Sequence, residues 1–372
     1  MRIADLRICL VRAKVRHPIV APFGRVDVRH NLLVLAELED GTTGIGEVWA
    51  NFPPSGCPER VEILRRVVRP ALVGQELDDP VHLYDRLLAA ARPLANQMGA
   101  PGPFHQALAG ADIALWDALA KARGVPLCDL LRGSRARRPV PVYATNLPAD
   151  RPEMIDAMAA LGHTRFKLKL APDEALARRS LAEARRIAGD RMLATDASQG
   201  YSPERLAPLL PDLLAASLAW LEEPFAVDDL SAYRRWAAHP DRPPLAMGEN
   251  SYGEDGFARL LDEIGPQVVQ PDLTKTAGLS RGRTIVGQVG SPGRSVCLHM
   301  YGGPVGLYAS AHLAAAVEAV DLVEMDSKAN PLFGLLAAPP QVADGALRLS
   351  DAPGLGVDLD LDRIRAADVT EN

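Results

Sequence analysis

The chain has 372 residues, 48% of them hydrophobic, with 41 basic and 47 acidic side chains and a formal net charge of −6. This length holds one large or two ordinary domains with a sizeable core, and the mixed charge, without a basic patch or aromatic–basic alternation, argues against a nucleic-acid partner. The first seven residues lack the apolar run of a signal peptide or spanning helix, so a cytoplasmic protein without a membrane partner is expected. Cys9, Cys57, Cys128 and Cys297 are scattered without metal-type spacing and read as reduced structural thiols.

In chain order, residues 2–10 and 31–39 read as strands, and Asp40-Gly41 is a hairpin turn leading into Thr43-Gly-Ile-Gly-Glu47. The stretch from Arg16 to Arg29, with Pro18, Pro22 and Gly24, is expected to be a polar loop. A second loop follows from Trp49 to Gly56. Amphipathic helices are expected over 58–72, 80–91 and 104–123, the last stopped by Gly124. From Pro139 the rhythm changes. Short aliphatic strands are expected at 140–145, 165–170, 192–196, 218–222, 245–249, 268–272, 295–299 and 322–324, with helices between them such as 173–187, 202–214 and 256–263. Eight strands alternating with helices argue for a parallel barrel. A doubly wound sheet is the alternative, weakened by the lack of a Gly-x-Gly-x-x-Gly loop after an early strand.

The second barrel strand carries Lys167 and Lys169, two apart and therefore on one face. Two adjacent ammonium groups are expected to lower each other's pKa, which suits a general base. A solvated edge strand is the bland alternative, and the later strands oppose it. They end in Asp196, Glu222, Glu249, Asp272, His299 and Glu324, at the end of a barrel where catalytic groups collect. A single strand-terminal acid is often a helix N-cap; a whole set is not explained that way. Asp196, Glu222 and Glu249 would form an oxygen-rich site suited to Mg²⁺, and three uncompensated carboxylates would demand a cation. His299 alone reads as a core histidine. Asp272 on the adjacent strand turns it into a candidate base, because a carboxylate orients and strengthens an imidazole.

This constellation resembles the enolase superfamily and, within it, the mandelate racemase group; the pairing of a Lys or His base with Mg²⁺ is a known trait of that superfamily. The segments Ala107 to Asp117, Lys121 and Pro126 to Gly133 are similar to the family's signature helix before the barrel, and Pro353-Gly-Leu-Gly-Val357 to its C-terminal return. The resemblance implies a modified TIM-type (β/α)7β barrel over 134–335. It also implies an α+β capping domain made by residues 1–133 and a returning tail, 336–372. It implies one Mg²⁺ per subunit on Asp196, Glu222 and Glu249, Lys169 as base and Lys167 as contact to the substrate carboxylate. His299 and Asp272 would form a dyad, and a protonated Glu324 would donate to that carboxylate. Lys275 fits the pattern too, and Glu223 reads as a supporting carboxylate. Two departures are Ser198, where Asn is common, and Ala277-Gly278 for Gly-Gly. Ser198 and Asn250 are read as substrate contacts, as are Arg16, Trp49 and Phe52 from the two loops. The expected substrate is a small hydroxy acid or acid sugar, and a homo-oligomer is implied.

Dehydration of an acid sugar to a 2-keto-3-deoxy acid is the first reading, favoured by the polar Arg16–His30 stretch. A racemase or epimerase of an α-hydroxy acid such as mandelate is the second. A lactonising enzyme fits less well, since Asp272 stands where that group resembles a Lys–Lys pair. A non-catalytic barrel that binds small acids is the reading from another class.

Overall fold

The computed structural model describes residues 1–21, 24–53, 57–134, 139–289, 293–326 and 330–371, excepting the side chains of 16–21. A three-stranded antiparallel sheet opens the chain: β1 (Ile3–Ala21), β2 (Gly24–Leu38) and β3 (Thr43–Val48). The expected loop from 16 to 29 is therefore corrected. β1 and β2 pair almost to their tips, with Ile19 opposite Val26 and a register shift between Lys14 and Ile19 that accommodates Pro18. Val26 and Val28 alternate with Arg25, Asp27 and Arg29, a two-residue period that the flanking prolines and glycine obscured.

Helices α1 (Pro58–Ile63) and α2 (Arg69–Leu72), joined by a π turn over Leu64–Val68, cover the sheet together with α3 (Pro80–Met98), α4 (Pro101–Ala122) and α5 (Leu127–Arg132). Contact of α4 with β3 is close because glycines meet there. A Cβ on Gly46 would stand 1.9 Å from the Gly110 carbonyl oxygen.

Eight parallel strands then close into a barrel: β4 (Val140–Leu147), β5 (Arg165–Lys169), β6 (Met192–Asp196), β7 (Leu221–Glu222), β8 (Leu245–Met247), β9 (Val268–Val269), β10 (Ser295–Leu298) and β11 (Leu322–Asp326). Pairing of β11 with β4 completes the closure. The connections carry α6 (Met154–Ala160), α7 (Glu174–Ala188), α8 (Pro203–Leu206), α9 (Leu210–Ala215), α10 (Leu230–Ala237), α11 (Gly253–Glu263), α12 (Gly278–Val289) and α13 (Pro304–Ala316). The single helix expected over 202–214 is interrupted by a 3₁₀ turn at Ala207–Leu209, between Pro203 and Pro211. Among the described residues, β11 is followed by a 3₁₀ turn, Pro331–Leu335, in place of an eighth barrel helix, which makes the architecture (β/α)7β.

The tail returns. Strands β12 (Val342–Ala343) and β13 (Ala346–Leu347) add to β4, and α14 (Leu361–Arg365) precedes a segment pinned to β1, where the Val369 amide donates to the Ile8 carbonyl at 2.8 Å. No helix among the described residues is long and apolar enough to cross a membrane.

Strand period two decides the barrel's interior. Its lower layer is apolar, built from Ala194, Trp220, Ala246, Val268 and Cys297 with Tyr143. Two residues further along the same inner faces stand Asp196, Glu222, Gln270 and His299, so the apolar floor and the polar rim follow from one alternation. All four cysteines are buried and none forms a disulfide.

One buried group gives a pH test of the fold. His163, just before β5, is buried with Nδ1 lacking a protein partner, and burial lowers its pKa from 6.5 to about 4. The unfolded chain therefore takes the proton first. Stability is intact above pH 6.5 and falls as pH drops from 6.5 through 4, by up to about 3 kcal/mol. Urea midpoints across that range should show a fall in the wild type that is smaller in His163→Gln; parallel curves would refute it.

Candidate active site

Asp196 lies opposite both Lys169 and Glu222 in the strand register, so these three side chains enter the barrel mouth together. Lys167, 1% exposed, donates to Glu222 at 2.7 and 2.8 Å and meets Glu324 at 2.8 Å. Lys169 donates to Asp196 and, at 3.1 Å, to Ser198 Oγ. Ser198 in turn donates its amide to Asp196 at 2.7 Å. His299 Nδ1 is 2.8 Å from Asp272, which also accepts from the Thr274 amide and hydroxyl. The other ring nitrogen, Nε2, faces Glu249. Asn250 is tied to the protein on every side. It donates to Glu223 at 2.8 Å and to Glu249 at 3.1 Å, and accepts from Lys275 at 2.7 Å.

Two electrostatic expectations are corrected here. The lysines do not lower each other's pKa into the neutral range. Burial pulls both down, but Glu222 and Glu324 around Lys167, and Asp196 beside Lys169, outweigh it and hold both above the ordinary value. The repulsion between the two ammonium groups is real but smaller than the attraction to a touching carboxylate. Nor is Glu324 a protonated donor. Burial raises its pKa, yet Lys167 and His299 more than offset that, so it accepts from Lys167, from the Tyr143 hydroxyl at 3.1 Å and from the Met300 amide at 3.3 Å. His299 is likewise held above its usual value, against burial, by Glu249 and Glu324.

The three expected ligands are not uncompensated. Asp196 faces Lys169, Glu222 faces Lys167 and Glu249 faces His299. Among the described residues no three acidic, histidine or cysteine side chains are gathered in metal-holding geometry. The charge balance still leaves room for a cation. Six carboxyl groups (Asp196, Glu222, Glu223, Glu249, Asp272 and Glu324) surround three lysines (Lys167, Lys169 and Lys275) and one imidazole. Burial first, and neighbouring carboxylates after it, push Glu222 up to about 7 and Glu223 up to about 8, against the lysines beside them. An all-oxygen donor set with surplus charge fits a hard divalent ion.

The loop residues fare differently. Trp49 is buried beside the site, with the Lys275 ammonium 4.5 Å from its ring centre and its amide donating to Thr274 at 3.0 Å; Phe52 packs on it at 5.9 Å. The side chain of Arg16 lies outside the described residues.

Several polar residues were missed by reading strand ends alone. β11 runs on to Asp326, which binds Arg29 of β2 at 2.7 Å and accepts from Asn146 at 3.1 Å and Asn330 at 3.2 Å. Gln270 donates to Glu222 at 2.7 Å. Its position two residues before Asp272, on one face of the strand expected over 268–272, was the available signal.

A (β/α)7β barrel whose strand ends present lysines, carboxylates and a His–Asp pair beneath an α+β cap defines an acid–base enzyme class. The chain belongs to the enolase superfamily, in the mandelate racemase / muconate lactonizing enzyme group: profiles described as "Mandelate racemase / muconate lactonizing enzyme, N-terminal domain" and "Enolase C-terminal domain-like" match residues 3–132 and 151–363. It is similar to a D-galactarolactone cycloisomerase of Agrobacterium fabrum, 28% identical over 98% of both chains. It is also similar to a D-galactonate dehydratase of Ralstonia pickettii, 29% identical over 88% of both. The solved mandelate racemase/muconate lactonizing enzyme from Bordetella bronchiseptica superposes with a TM-score of 0.85 at 36% identity, covering 99% of this chain and 100% of the other.

Proposed function

We propose that this protein removes the α-proton of a sugar-derived hydroxy carboxylate and expels the β-substituent, giving a 2-keto-3-deoxy acid: an acid sugar dehydratase. The observation that carries this reading is the pair of proton-transfer groups on different sides of one barrel mouth. Lys169 stands on β5 and the Asp272-held His299 follows β10. β5 and β10 are separated around the closed sheet by β4 and β11, so the two groups approach a bound α-carbon from different faces.

Asp196, Glu222 and Glu249 would hold Mg²⁺, which superfamily members use with a Lys or His base. When bound, the ion supplies Lewis-acid stabilisation of the charge that develops on the substrate carboxylate. Lys167 sits on the same wall and is already partnered with Glu222 and Glu324, so its charge is positioned for that carboxylate as well. Lys169 is paired with Asp196 and His299 with Glu249 in this arrangement, so the group that gives up its proton would serve as the base while the other stays protonated to serve as the acid. One base then takes the C2 proton, and the other, as a general acid, protonates the C3 hydroxyl as its C–O bond breaks. Water leaves, and the enol tautomerises to the ketone. Ser198, beside Lys169, would bind a substrate hydroxyl. Asn250 would act by holding Glu249 and Lys275 rather than by touching substrate. Trp49 and Phe52 would wall the site.

A second reading shares the first half of this chemistry. The cycloisomerase relative, matched over 98% of both chains, supports a ring oxygen rather than a hydroxyl as the group bonded to C3. Racemisation would follow instead where no leaving group exists.

Incubation with Mg²⁺ in D₂O of D-galactonate, D-xylonate, D-arabinonate, L-rhamnonate, galactarate, galactarolactone and mandelate separates these readings. Keto acid formed from one or two open-chain acids, with one deuterium from solvent at C3, is the expected result. Turnover of the lactone alone would select the cycloisomerase, and deuteration with inversion but no keto acid would select the racemase. No exchange on any of them, with Mn²⁺ as well, would remove the two-base reading.

A further inference from the structure

The backbone that follows His299 is held from two sides: by the barrel, where Glu324 accepts from the Met300 amide at 3.3 Å and Asn330 donates to the Gly302 carbonyl at 2.8 Å, and by the cap. Glu47, the fifth residue of β3, is 1% exposed. One carboxylate oxygen accepts from the Gly303 amide, and the other from the Gly306 amide at 2.8 Å. It therefore caps the first turn of α13, where unpaired amides and the helix dipole favour an anion. Asn51 donates to the Tyr301 carbonyl. Arg29 donates to the Gly302 carbonyl at 3.4 Å and lies 4.3 Å above the Tyr301 ring. The fit leaves no room for side chains on that segment. A Cβ on Gly302 would stand 2.3 Å from Glu47, and one on Gly303 would stand 2.7 Å from Asn31.

The same stretch of the cap bounds the other half of the dyad. The Trp49 amide binds Thr274, whose amide and hydroxyl donate to Asp272. Among the described residues Lys169 has no such support. Its partners Asp196 and Ser198 both belong to the barrel.

We propose that Glu47, helped by Asn51 and Arg29, is a positioning residue for His299. The cap adds, through the backbone after His299, to the aim that Asp272 gives the imidazole, while the partners of Lys169 among the described residues come from the barrel. The consequence for activity rests on the two-base reading above: disturbing Glu47 should weaken chemistry on the His299 face of the α-carbon and spare the Lys169 face. A carboxylate that merely stapled the two units together would affect both faces alike.

The test uses the full chain as wild type, as Glu47→Gln and as Asp117→Asn. Asp117 is another buried cap carboxylate, which accepts from the Ile45 and Leu355 amides at 2.8 and 2.7 Å, away from His299. The first readout needs no substrate. In ¹⁵N-histidine-labelled protein, the Nδ1–H resonance of His299, identified by its loss in His299→Asn, should shift or broaden in Glu47→Gln and stay in place in Asp117→Asn. The second follows α-deuteration of the C2 epimers D-galactonate and D-talonate. A misplacement of about 1 Å costs on the order of 100-fold, so exchange on the His299 face should fall by that order in Glu47→Gln, with the Lys169 face unchanged. An unmoved resonance, or equal loss on both faces, would overturn the proposal. If the wild type exchanges neither epimer, the functional reading fails for these acids and the resonance alone decides the positioning role. Should Glu47→Gln not fold, Asn51→Ala, which removes the bond to the Tyr301 carbonyl and the one accepted from Arg29 at 3.3 Å, is measured the same way.

Discussion

Lys169→Met and His299→Asn should each lower keto-acid formation by about 10²- to 10⁴-fold, the range a positioned acid or base contributes, while leaving different residual activities. Lys169 comes from β5 and His299 from the end of β10, and their partners are disjoint: Asp196 and Ser198 for the lysine, Asp272 and Glu249 for the imidazole. Removing one group therefore leaves the other in place. In Lys169→Met the epimer whose proton faces His299 should still exchange in D₂O, and in His299→Asn the opposite epimer should. Dehydration needs both groups and should be lost in both variants. NMR of the α-position in each variant, on both epimers, checks the assignment. If either substitution abolishes exchange on both faces while the protein stays folded, one residue does all the proton transfer and the two-base reading is wrong.

The largest effect on stability should come from Arg29→Met. Arg29 and Asp326 are 2% and 1% exposed at their side chains and bind at 2.7 Å, joining β2 of the cap to β11 of the barrel. Breaking a buried pair from one side leaves an uncompensated charge, a loss of about 3–5 kcal/mol. Asn146 and Asn330 still donate to Asp326 but carry no charge. Removing both charges in Arg29→Met/Asp326→Leu should recover much of the loss, because well-packed apolar residues often replace a buried pair at little cost. Urea unfolding of the two single variants and the double variant measures this as a cycle. A single variant within about 1 kcal/mol of wild type, the ceiling for an exposed ion pair, would mean that solvent reaches the pair.

Much of the barrel was legible because it is local. A strand signals itself through aliphatic runs, its inner face through a period of two, and its catalytic end through the next ionisable residue on that face. Lys167, Lys169, Asp196, Glu222, Asp272, His299 and Glu324 can be assigned to one mouth by this logic, and the structure gathers them there. The long β1–β2 hairpin was hidden because Pro18, Pro22 and Gly24 are turn signals, and only the pairing of Ile19, Val20 and Ala21 with Val26, Arg25 and Gly24 reveals that both arms are strand.

What the tertiary structure alone decided is the charge state of the site and its support. A pKa depends on every charge within a few ångströms, whatever its distance in sequence. The Lys167–Lys169 repulsion visible in the sequence is outweighed by Glu222 and Glu324, 55 and 157 positions away in the chain. The hold of the cap on the His299 loop is the same kind of fact. Glu47 binds Gly303 across 256 positions and Arg29 binds Asp326 across 297, with no periodicity to announce either contact. Spacing along the chain specifies which face a side chain takes; only the closed barrel and its cap specify what it meets there.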